Sequence, residues 1–532
     1  MHFLSSERAR EALPTHFAAL DRKQFIHPAE SGVDGEAHFR FHHILIRDAA
    51  YNGQLKRTRA ETHERFVEWA DGVNAERQRA LEFAEILGYH LEQAHRLLAE
   101  LGPLDDHGRE LGRRASERLA AAGRRAFARG DMPAAANLLH RAALTLPEVA
   151  VGRSALLIEA GEAMIEAGSL AEADAVLEQA RLEAAALRDP AKEAAARLGV
   201  IYLHHVTQGD EPEAEVIAGV HDAITVLEAV GDEAGLSRAW RILTNVHFAG
   251  CRYLEATSAA EHMIEHARRA GDRSMELRAL SGLAICAQLG PMPVPEAIAV
   301  VERVLAELED DRKSEATARR ALALLEAMRG RFDEARTMYL LSRAILDELG
   351  WHFDAALTSA IASGPVELIA GDVATAEAEL RRDHDALAAM GERNYISTTA
   401  AFLAEVLYRQ GRDDEALAMT EQSEEIAAAD DVATQYLWRS VRAKLVARRG
   451  SFAEAEALAL DAIRIIEAAQ DPDSQGYAYI DLAEVLRMAG RADEAIRAAD
   501  EAAARFDQKG NTESAARARR LKAEIQATPT VR

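Results

Sequence analysis

The sequence predicts an all-α protein, an α-solenoid of about ten stacked helix pairs that follows a small N-terminal segment of different character. Three observations support this fold class. Ala, Leu, Glu and Arg dominate the 532 residues while glycine and proline are modest, and this composition favours helices. A turn-like hexad returns at intervals of 38 to 41 residues, a period typical of repeated helix pairs. Small residues fall at fixed distances from these turns.

The hexad is clearest at residues 330–335, which read GRFDEA. Gly330 allows a tight turn, and the acidic Asp333 and Glu334 then fall in the first turn of the next helix, where the helix dipole favours negative charge. Each copy therefore predicts the turn between two helices of a pair. The other clear copies begin at Gly411, Gly450 and Gly490, and weaker copies begin at Gly130, Gly168, Gly209, Gly250, Gly290 and Gly371.

Small residues on both sides of the turns predict close contact between the paired helices. They occur seven residues before a turn and five residues after it. Two copies depart from this pattern: after Gly250 the alanine (Ala256) comes one position late, and Gly290 is followed by a proline-rich run. We expect helices there without a fixed register. The small residues are Gly123, Gly161, Ala323, Gly364, Ala404, Ala443 and Ala483 before the turns, and Ala135, Ala173, Ala214, Ala335, Ala376, Ala416, Ala455 and Ala495 after them.

This pattern resembles the tetratricopeptide repeat (TPR), which has a small residue, a Gly-x-Tyr/Phe-x-x-Ala turn and an antiparallel helix pair. The period is longer than the usual TPR period of about 34 residues and is similar to that of the longer TPR-like repeats in large bacterial regulators. The resemblance implies that the first helix of each pair lines a concave face that binds a protein or a peptide. The usual exposed positions on that face map to Thr244, His247, Thr317, Arg320, Thr398, Glu405, Tyr408, Lys444, Tyr477, Glu484 and Arg487.

The chain divides into four predicted segments. Residues 1–53 combine a helix (6–23), two short alternating runs around a glycine-containing turn (28–36) and a second helix (42–51), which together suggest the tail of a winged helix. Residues 54–104 form two amphipathic linking helices, and 105–510 form the TPR-like solenoid. Residues 511–532 form a polar capping helix at the open end of the solenoid, followed by a short tail.

Three separated blocks near the N-terminus carry a second resemblance. Residues 39–51 (FRFHHILIRDAAY), 87–94 (LGYHLEQA) and 115–146 resemble, in the same order, segments of bacterial signalling proteins in which an adenylate/guanylate cyclase domain and an AAA/STAND ATPase precede TPR-like repeats. The phosphate-binding motif Gly-x-x-x-x-Gly-Lys-Ser/Thr does not occur in this sequence. The chain therefore resembles the C-terminal part of such a protein, beginning within its winged helix.

Charge and cysteine content restrict the expected partners and compartment. The net charge is −25, and because residues 1–130 contain equal numbers of acidic and basic residues, the whole excess lies in 131–532. An acidic solenoid repels nucleic acid and anionic membranes, so neither partner is expected. Cys251 and Cys286 show no pairing pattern, the N-terminus lacks the features of a signal peptide, and no apolar run approaches the ~18 residues of a membrane helix. We expect a cytoplasmic protein.

The strongest motif for catalysis is the pentad from His262 to His266, which resembles the inverted zinc-protease pattern H-x-x-E-H, with Glu265 as the residue that would activate water. On a helix, histidines four residues apart share a face. However, the pentad falls in the second helix of a repeat, where Met263 and Ile264 face a neighbouring helix, and the sequence offers no third ligand. A structural role is the favoured interpretation.

The remaining polar motifs give no active site. Adjacent histidines point in different directions on a helix and rarely chelate one ion, the Asp-His-Asp run lacks a nucleophile at a recognisable spacing, and two basic clusters lie beside acidic residues, as solvated helix faces do. These motifs are the pairs His42 and His43, and His204 and His205; the run Asp383, His384 and Asp385; and the basic clusters Arg47, Lys56, Arg57 and Arg59, and Arg442, Lys444, Arg448 and Arg449.

The sequence thus predicts a protein-interaction scaffold without enzymatic activity, cofactor or metal, corresponding to the sensor arm of a cyclase/STAND-type signalling protein. Two alternatives remain open: a regulator that acts on a separately encoded cyclase or ATPase, and a metal-dependent hydrolase at His262 and His266.

Overall fold

The computed structural model describes residues 7–29, 38–77, 83–148, 150, 152–207, 213–308, 311–392, 394–429 and 431–527. Helices account for nearly all of these residues. The chain forms two compact units, Met1–Pro212 and Glu213–Arg532. No helix in the described part of the chain is both long and apolar enough to cross a membrane.

The first unit begins with a helix, a two-stranded hairpin and further helices. Helix α1 (Glu7–Arg22) precedes strands β1 (Ile26–Ala29) and β2 (His38–Phe41), which pair antiparallel with Ile26 opposite Phe41. Most of the predicted hairpin turn lies outside the described residues. Helices α2 (Ile44–Asn52), α3 (Lys56–Arg77) and α4 (Ala84–Ala99) follow. The elements occur in the predicted order, and their assignment to a winged helix stays a prediction.

Repeated helix pairs fill the rest of the first unit. They comprise α5 (Asp106–Ala128) with α6 (Met132–Leu144) and α7 (Arg153–Glu166) with α8 (Leu170–Ala186), followed by α9 (Pro190–Thr207). The small residues allow these helices to touch. A Cβ atom added at Gly123 would lie 2.8 Å from Leu139 Cγ, and one added at Gly161 would lie 2.6 Å from Leu177 Cγ, both closer than van der Waals contact permits.

The second unit contains α10, seven helix pairs and a last helix in its described residues. In the fourth pair the first helix is interrupted by a π-helical turn (Ser359–Ser363) between α17 and α18. The helices are α10 (Glu213–Val230), α11 (Glu233–Ala249), α12 (Tyr253–Ala270), α13 (Arg273–Leu289), α14 (Val294–Glu307), α15 (Arg312–Met328), α16 (Phe332–Glu348), α17 (His352–Ala356), α18 (Gly364–Ala370), α19 (Val373–Met390), α20 (Asn394–Arg409), α21 (Asp413–Ile426), α22 (Val432–Arg448), α23 (Phe452–Ile466), α24 (Pro472–Met488), α25 (Ala492–Lys509) and α26 (Thr512–Ala527).

The hexad glycines form the turns that the sequence predicts. Gly330, Gly411 and Gly450 have φ values of 79°, 75° and 84°, in the left-handed region that glycine occupies without strain. The two irregular copies differ. Gly250 has φ −78°, and the left-handed residue is Cys251, with φ 53°. The turn therefore comes one residue later, which explains the late alanine.

The repeat around Gly209 departs from the prediction in a different way. Gly209 lies outside the described residues, and Ala214, expected to pack against the paired helix, is exposed. The corresponding alanines of the regular repeats, such as Ala335 and Ala455, are fully buried. Apart from this copy, the all-α fold of TPR-like helix pairs is confirmed.

Within the second unit, the C-terminal helices contact turns that lie about two hundred residues earlier. The backbone N–H of Gln470 donates to the carbonyl oxygen of Cys251 at 2.9 Å, and Thr512 Oγ1 donates to the carbonyl oxygen of Met328 at 3.2 Å. Helix α26 therefore packs against α15 as well as α25. The second unit closes on itself through these contacts, and the assignment of 511–532 as a capping helix and tail stays a prediction.

Candidate partner-binding face

All eleven nominated groove residues lie on first helices of the second unit, but they differ in exposure. The expectation that they are all exposed is wrong at Thr244, Arg320, Glu405, Tyr408 and Lys444, which are buried. Glu405 and Lys444 pair with each other across neighbouring helices, and Tyr408 donates to Glu484. His247, Thr317, Thr398, Tyr477 and Glu484 are half-buried, and Arg487 is exposed. Their role in binding stays a prediction.

A charge cluster around Lys444 joins three successive first helices. Lys444 is fully buried, and its Nζ donates to Glu405 Oε2 at 2.5 Å and lies 2.8 Å from Asp481 Oδ1. Arg409 donates from Nε to Glu405 Oε1 at 2.7 Å. These four residues, the Lys444 cluster, connect α20, α22 and α24. A buried lysine is stable here because two carboxylates balance its charge.

The ionisation of the cluster follows from these contacts. Burial alone would raise the pKa of Glu405, but Lys444 and Arg409 outweigh it and hold the pKa at about 2. Burial opposes the charge on Lys444, whereas Asp481 and Glu405 favour it more strongly, so the pKa of Lys444 is raised. Glu405 and Lys444 therefore form an ion pair at neutral pH.

Tyr408 extends the cluster towards the C-terminal end of α24. Its hydroxyl donates to Glu484 Oε1 at 2.5 Å, and Arg448 lies over its ring, 3.6 Å from the centroid. Burial, followed by the charge of Glu484, raises the pKa of Tyr408, so the phenol remains a hydrogen-bond donor. Glu405, Tyr408, Lys444 and Glu484 are thus brought together on one face.

Two hydroxyl contacts continue this face at its edges. Thr398 on α20 lies 2.6 Å from Thr434 on α22, and Tyr477 on α24 lies 2.7 Å from Ser514 on α26, measured between the hydroxyl oxygens. The result is a polar and aromatic face that runs across α20, α22, α24 and α26. We call it the C-terminal face.

The remaining nominated residues make separate contacts. Arg320 donates to the carbonyl oxygen of Asp354 at 3.0 Å, and its Nε has no hydrogen-bond partner among the described residues. Thr244 donates to the carbonyl oxygen of Trp240 at 2.8 Å, and His247 Nδ1 accepts from Arg252 Nε at 3.2 Å. These contacts belong to α11 and α15, outside the C-terminal face.

Sequence reasoning missed Arg409, Asp481, Ser514 and Arg517, which complete the C-terminal face. A signal was present. Glu405, Lys444 and Asp481 are separated by 39 and 37 residues, close to one repeat period, and their charges alternate in sign. Equivalent positions of adjacent repeats stack, so such alternation indicates ion pairing between neighbouring first helices.

The basic clusters are only partly solvated: Arg442 is half-buried and lies over the Trp438 ring, 4.4 Å from its centroid. Arg448 pairs with Asp413 and Arg449 pairs with Asp414 at 3.1 Å, both at accessible positions. The prediction of a solvated face is wrong for Lys444, because the acidic residues of neighbouring repeats enclose it. In the N-terminal cluster, Lys56 pairs with Glu100 at 2.9 Å.

The histidine pentad is engaged in other contacts. His266 is buried, and its Nδ1 lies 2.6 Å from Glu233 Oε2, while the exposed His262 stacks on Trp240 with ring centroids 4.3 Å apart. The described residues contain no group of three or more His, Cys, Asp or Glu side chains able to hold a metal ion. Asp383 is a buried acceptor for Arg343, Arg382 and the Ser359 backbone N–H, which makes it part of the helix packing.

Comparisons with known proteins concern the fold. The sequence matches no family model and no curated protein. Among solved structures it is similar to a Rap protein complexed with competence and sporulation factor, with 12% identity and a TM-score of 0.45 over 71% of this chain and 98% of that chain. Yeast Tom70 gives 15% identity and a TM-score of 0.37 over 84% and 96% of the two chains. The APC/C hetero-tetramer Cut9-Hcn1 gives 12% identity and a TM-score of 0.34 over 88% and 97%.

Proposed function

We propose that the chain is a protein-interaction module that binds an extended segment of another protein along the C-terminal face. The observation that carries this proposal is the alignment of polar and aromatic side chains on four neighbouring helices, joined by Thr398–Thr434, Tyr408–Glu484 and Tyr477–Ser514 contacts. Repeated helices present extended binding surfaces of this kind. Tyrosine and arginine are the residue types enriched at binding hot spots.

The Lys444 cluster supports this role by fixing the face before a partner arrives. Its buried charges satisfy one another, so the positions of α20, α22 and α24 are set without a ligand. Binding to a pre-organised surface costs less conformational entropy. The accessible residues at its margins, Thr398, Tyr477, Glu484 and Arg487, would make the contacts.

We further propose that this module regulates a signalling protein. The support is the resemblance of residues 39–51, 87–94 and 115–146 to segments of cyclase- and STAND-type signalling proteins. In such an architecture, a segment bound to the repeats would relieve or impose restraint on the ATPase.

A selection of displayed random dodecapeptides on the full chain tests the binding proposal. We expect enriched peptides whose binding is weakened roughly tenfold by Arg487→Ala, since truncation of a hot-spot arginine costs about 1–2 kcal/mol. The matched control is Arg497→Ala, which removes an exposed arginine from the second helix α25. Equal loss in both variants, or no enrichment by the wild-type chain, would refute binding on this face.

A further inference from the structure

The N-terminal part of the first unit exposes four large apolar side chains. Phe25, Phe41, Ile44 and Leu45 have 42%, 43%, 58% and 67% of their surface exposed, and we call these four residues the N-terminal patch. Single exposed apolar residues are common on soluble proteins, whereas a contiguous group of them marks an interaction site.

The backbone makes the N-terminal patch contiguous. Phe41 is the last residue of β2, and the carbonyl oxygen of Phe25 accepts from the backbone N–H of the next residue, His42, at 3.0 Å. Ile44 and Leu45 follow at once as the first two residues of α2. All four residues therefore lie at the junction between the hairpin and α2.

Helix α2 is held in place without burying the patch. It has no buried residue. Its C-terminal end contacts α3, where the Tyr51 hydroxyl lies 2.7 Å from His63 Nε2 and the Arg59 guanidinium lies 5.0 Å from the centroid of the Tyr51 ring. At its N-terminal end, His43 Nδ1 accepts from the Leu45 backbone N–H at 3.1 Å. The start of α2 is thus ordered while its apolar side chains stay in water, so burying them against a partner is favourable.

Three cations lie beside the patch. Arg22 and Lys23 lie at the end of α1 and in the turn before Phe25, and Arg40 precedes Phe41 on β2. All three are exposed, and none has a hydrogen-bond or ion-pair partner among the described residues. They are therefore free to contact an anionic group next to the apolar side chains.

We propose that the N-terminal patch inserts into the interfacial region of a lipid bilayer, so that the first unit associates with a membrane surface. The proposed binding on the C-terminal face is not required for this association. Exposed Phe, Leu and Ile beside Lys and Arg are the residues that peripheral proteins place at the boundary between headgroups and acyl chains. The four apolar side chains enter this boundary, and the three cations contact lipid phosphate groups.

The net charge of the chain does not exclude this contact. The acidic excess from which repulsion of anionic membranes is expected lies in 131–532, whereas residues 1–59 contain nine basic and seven acidic residues. Charges farther away than the Debye length, about 8 Å at physiological ionic strength, are largely screened. Because the local charge is nearly balanced, insertion of the apolar side chains supplies most of the binding and anionic lipid strengthens it.

The aliphatic members of the patch favour lipid over nucleic acid. Nucleic-acid bases stack on aromatic rings and on guanidinium groups. Ile44 and Leu45 are the most exposed members of the patch and offer neither group.

Co-sedimentation of the full chain with vesicles tests the proposal. We expect binding to mixed phosphatidylcholine–phosphatidylglycerol vesicles, and roughly threefold weaker binding to phosphatidylcholine alone, because the cations then meet no anionic lipid. The double substitution Ile44→Ser and Leu45→Ser should weaken binding roughly tenfold, because two inserted aliphatic side chains are lost. The matched control is Leu101→Ser with Leu144→Ser, which changes two leucines of the same unit that are each 52% exposed; its binding should equal that of the wild type.

A label reports insertion directly and does not depend on the folding of the serine variant. Both native thiols, Cys251 and Cys286, are buried, so a polarity-sensitive dye can be attached selectively at Leu45→Cys. Its emission should shift to shorter wavelength when mixed vesicles are added. The same dye at Leu144→Cys should show no shift.

Several results would overturn the membrane site: no sedimentation of the wild-type chain with either vesicle, equal loss in the two double variants, or equal shifts of the two dyes. Dimerisation without vesicles that Ile44→Ser with Leu45→Ser abolishes, together with absent vesicle binding, would assign the patch to a second copy of the chain. Binding of a single-stranded oligonucleotide that Arg40→Gln weakens, again without vesicle binding, would assign it to nucleic acid.

Discussion

Two lysines of the second unit, Lys444 and Lys509, are both fully buried, but they are stabilised in different ways. Lys444 pairs with the carboxylates of Glu405 and Asp481. Lys509 donates to three backbone carbonyl oxygens, those of Ala287 at 3.0 Å, Gly290 at 2.6 Å and Met292 at 3.0 Å. The charge of Lys444 is balanced by two carboxylates, whereas Lys509 is bound by the dipoles of three backbone carbonyl groups.

The two lysines also differ in how far away in the sequence their partners lie. Lys444 joins residues 37 and 39 positions away, one repeat on either side. Lys509 joins residues 217 to 222 positions away, in the last turn of α13 and in the segment that connects it to α14. The pKa values differ accordingly: it is raised for Lys444, whereas burial lowers it to about 8 for Lys509 despite the opposing charges of Asp471 and Asp473. The ion pairs of Lys444 stabilise the stacking of neighbouring repeats. The hydrogen bonds of Lys509 to backbone carbonyl groups hold the C-terminal helices against the earlier helices of the same unit.

The largest effect is expected for Lys444→Met. The substitution leaves Asp481 buried without a cation and Glu405 paired with Arg409 alone, and breaking a buried ion pair costs about 3–5 kcal/mol. Hydrogen exchange should show lost protection in α20, α22 and α24, with a lower thermal midpoint. Arg449→Met, directly after the same helix and in an exposed pair with Asp414, should change stability by less than about 1 kcal/mol. Similar midpoints for the two variants would contradict a stabilising cluster.

Lys509→Met should have a smaller effect at a different place. The three carbonyl oxygens lose their donor, and unsatisfied buried polar groups cost about 1–3 kcal/mol. Hydrogen exchange should increase in α25, α26 and the turn at Gly290, while α20 and α22 keep their protection. Lys522→Met is the control, because Lys522 pairs with Asp500 at accessible positions of the same region. Loss of protection spread evenly over the unit would show that the closure is not a separate feature.

These two sites also differ in how far the sequence predicts them. The helix pairs follow from the hexads because turn glycines and buried alanines act within one repeat, where periodicity reports them directly. Lys444 was placed on a first helix correctly, but its burial was missed because acidic residues of neighbouring repeats enclose it. The charges of Glu405, Lys444 and Asp481 at equivalent repeat positions are the signal that could have shown it.

No comparable sequence pattern predicts the contacts of Lys509. Its acceptors are backbone carbonyls, which every residue has, and they lie more than two hundred residues away. The closure depends on the summed rotation between successive pairs, and no short sequence pattern records that quantity. The same reason explains Arg517, whose position beside α24 depends on how α26 packs. Which faces of a repeat protein are exposed and which are covered by distant helices is therefore seen only in the three-dimensional structure.

Glu405 of the Lys444 cluster and Asp473 near Lys509 should respond to pH in opposite directions. The pKa of Glu405, about 2, lies below its ordinary value of 4.5, so its stabilising contribution is present above pH 4.5 and is lost as the pH falls towards 2. Burial and the charge of Asp471 raise the pKa of Asp473, beside Lys509, from 3.8 to about 7. The folded chain then holds a proton that the unfolded chain has released, so this contribution falls as the pH rises from about 4 to 7.

Asp473→Asn tests the second part of this contrast, because it mimics the protonated acid and can still accept from Asn511 Nδ2, which lies 2.7 Å from Asp473 Oδ1. We expect α24–α26 to be more stable by about 1–2 kcal/mol at pH 7.5 and nearly unchanged at pH 4.5. Asp500→Asn, at an accessible position on α25, should show no such dependence. A variant that is equally stable relative to wild type at both pH values would refute a raised pKa at Asp473.

The smallest effect concerns cooperativity of the closure. Gln470 contacts the same distant region as Lys509: its Oε1 accepts from the Leu254 backbone N–H at 2.8 Å, and its Nε2 donates to Glu255 at 2.9 Å. If the closure opens as one unit, Gln470→Ala and Lys509→Met should couple by about 0.5–1 kcal/mol in a double-mutant cycle. Lys444→Met and Lys509→Met share no partner and should be additive within about 0.5 kcal/mol. Equal coupling in both cycles would mean that the stacking of neighbouring repeats and the closure of the unit occur as one process. The two lysines would then differ in their contacts but not in the process that they stabilise.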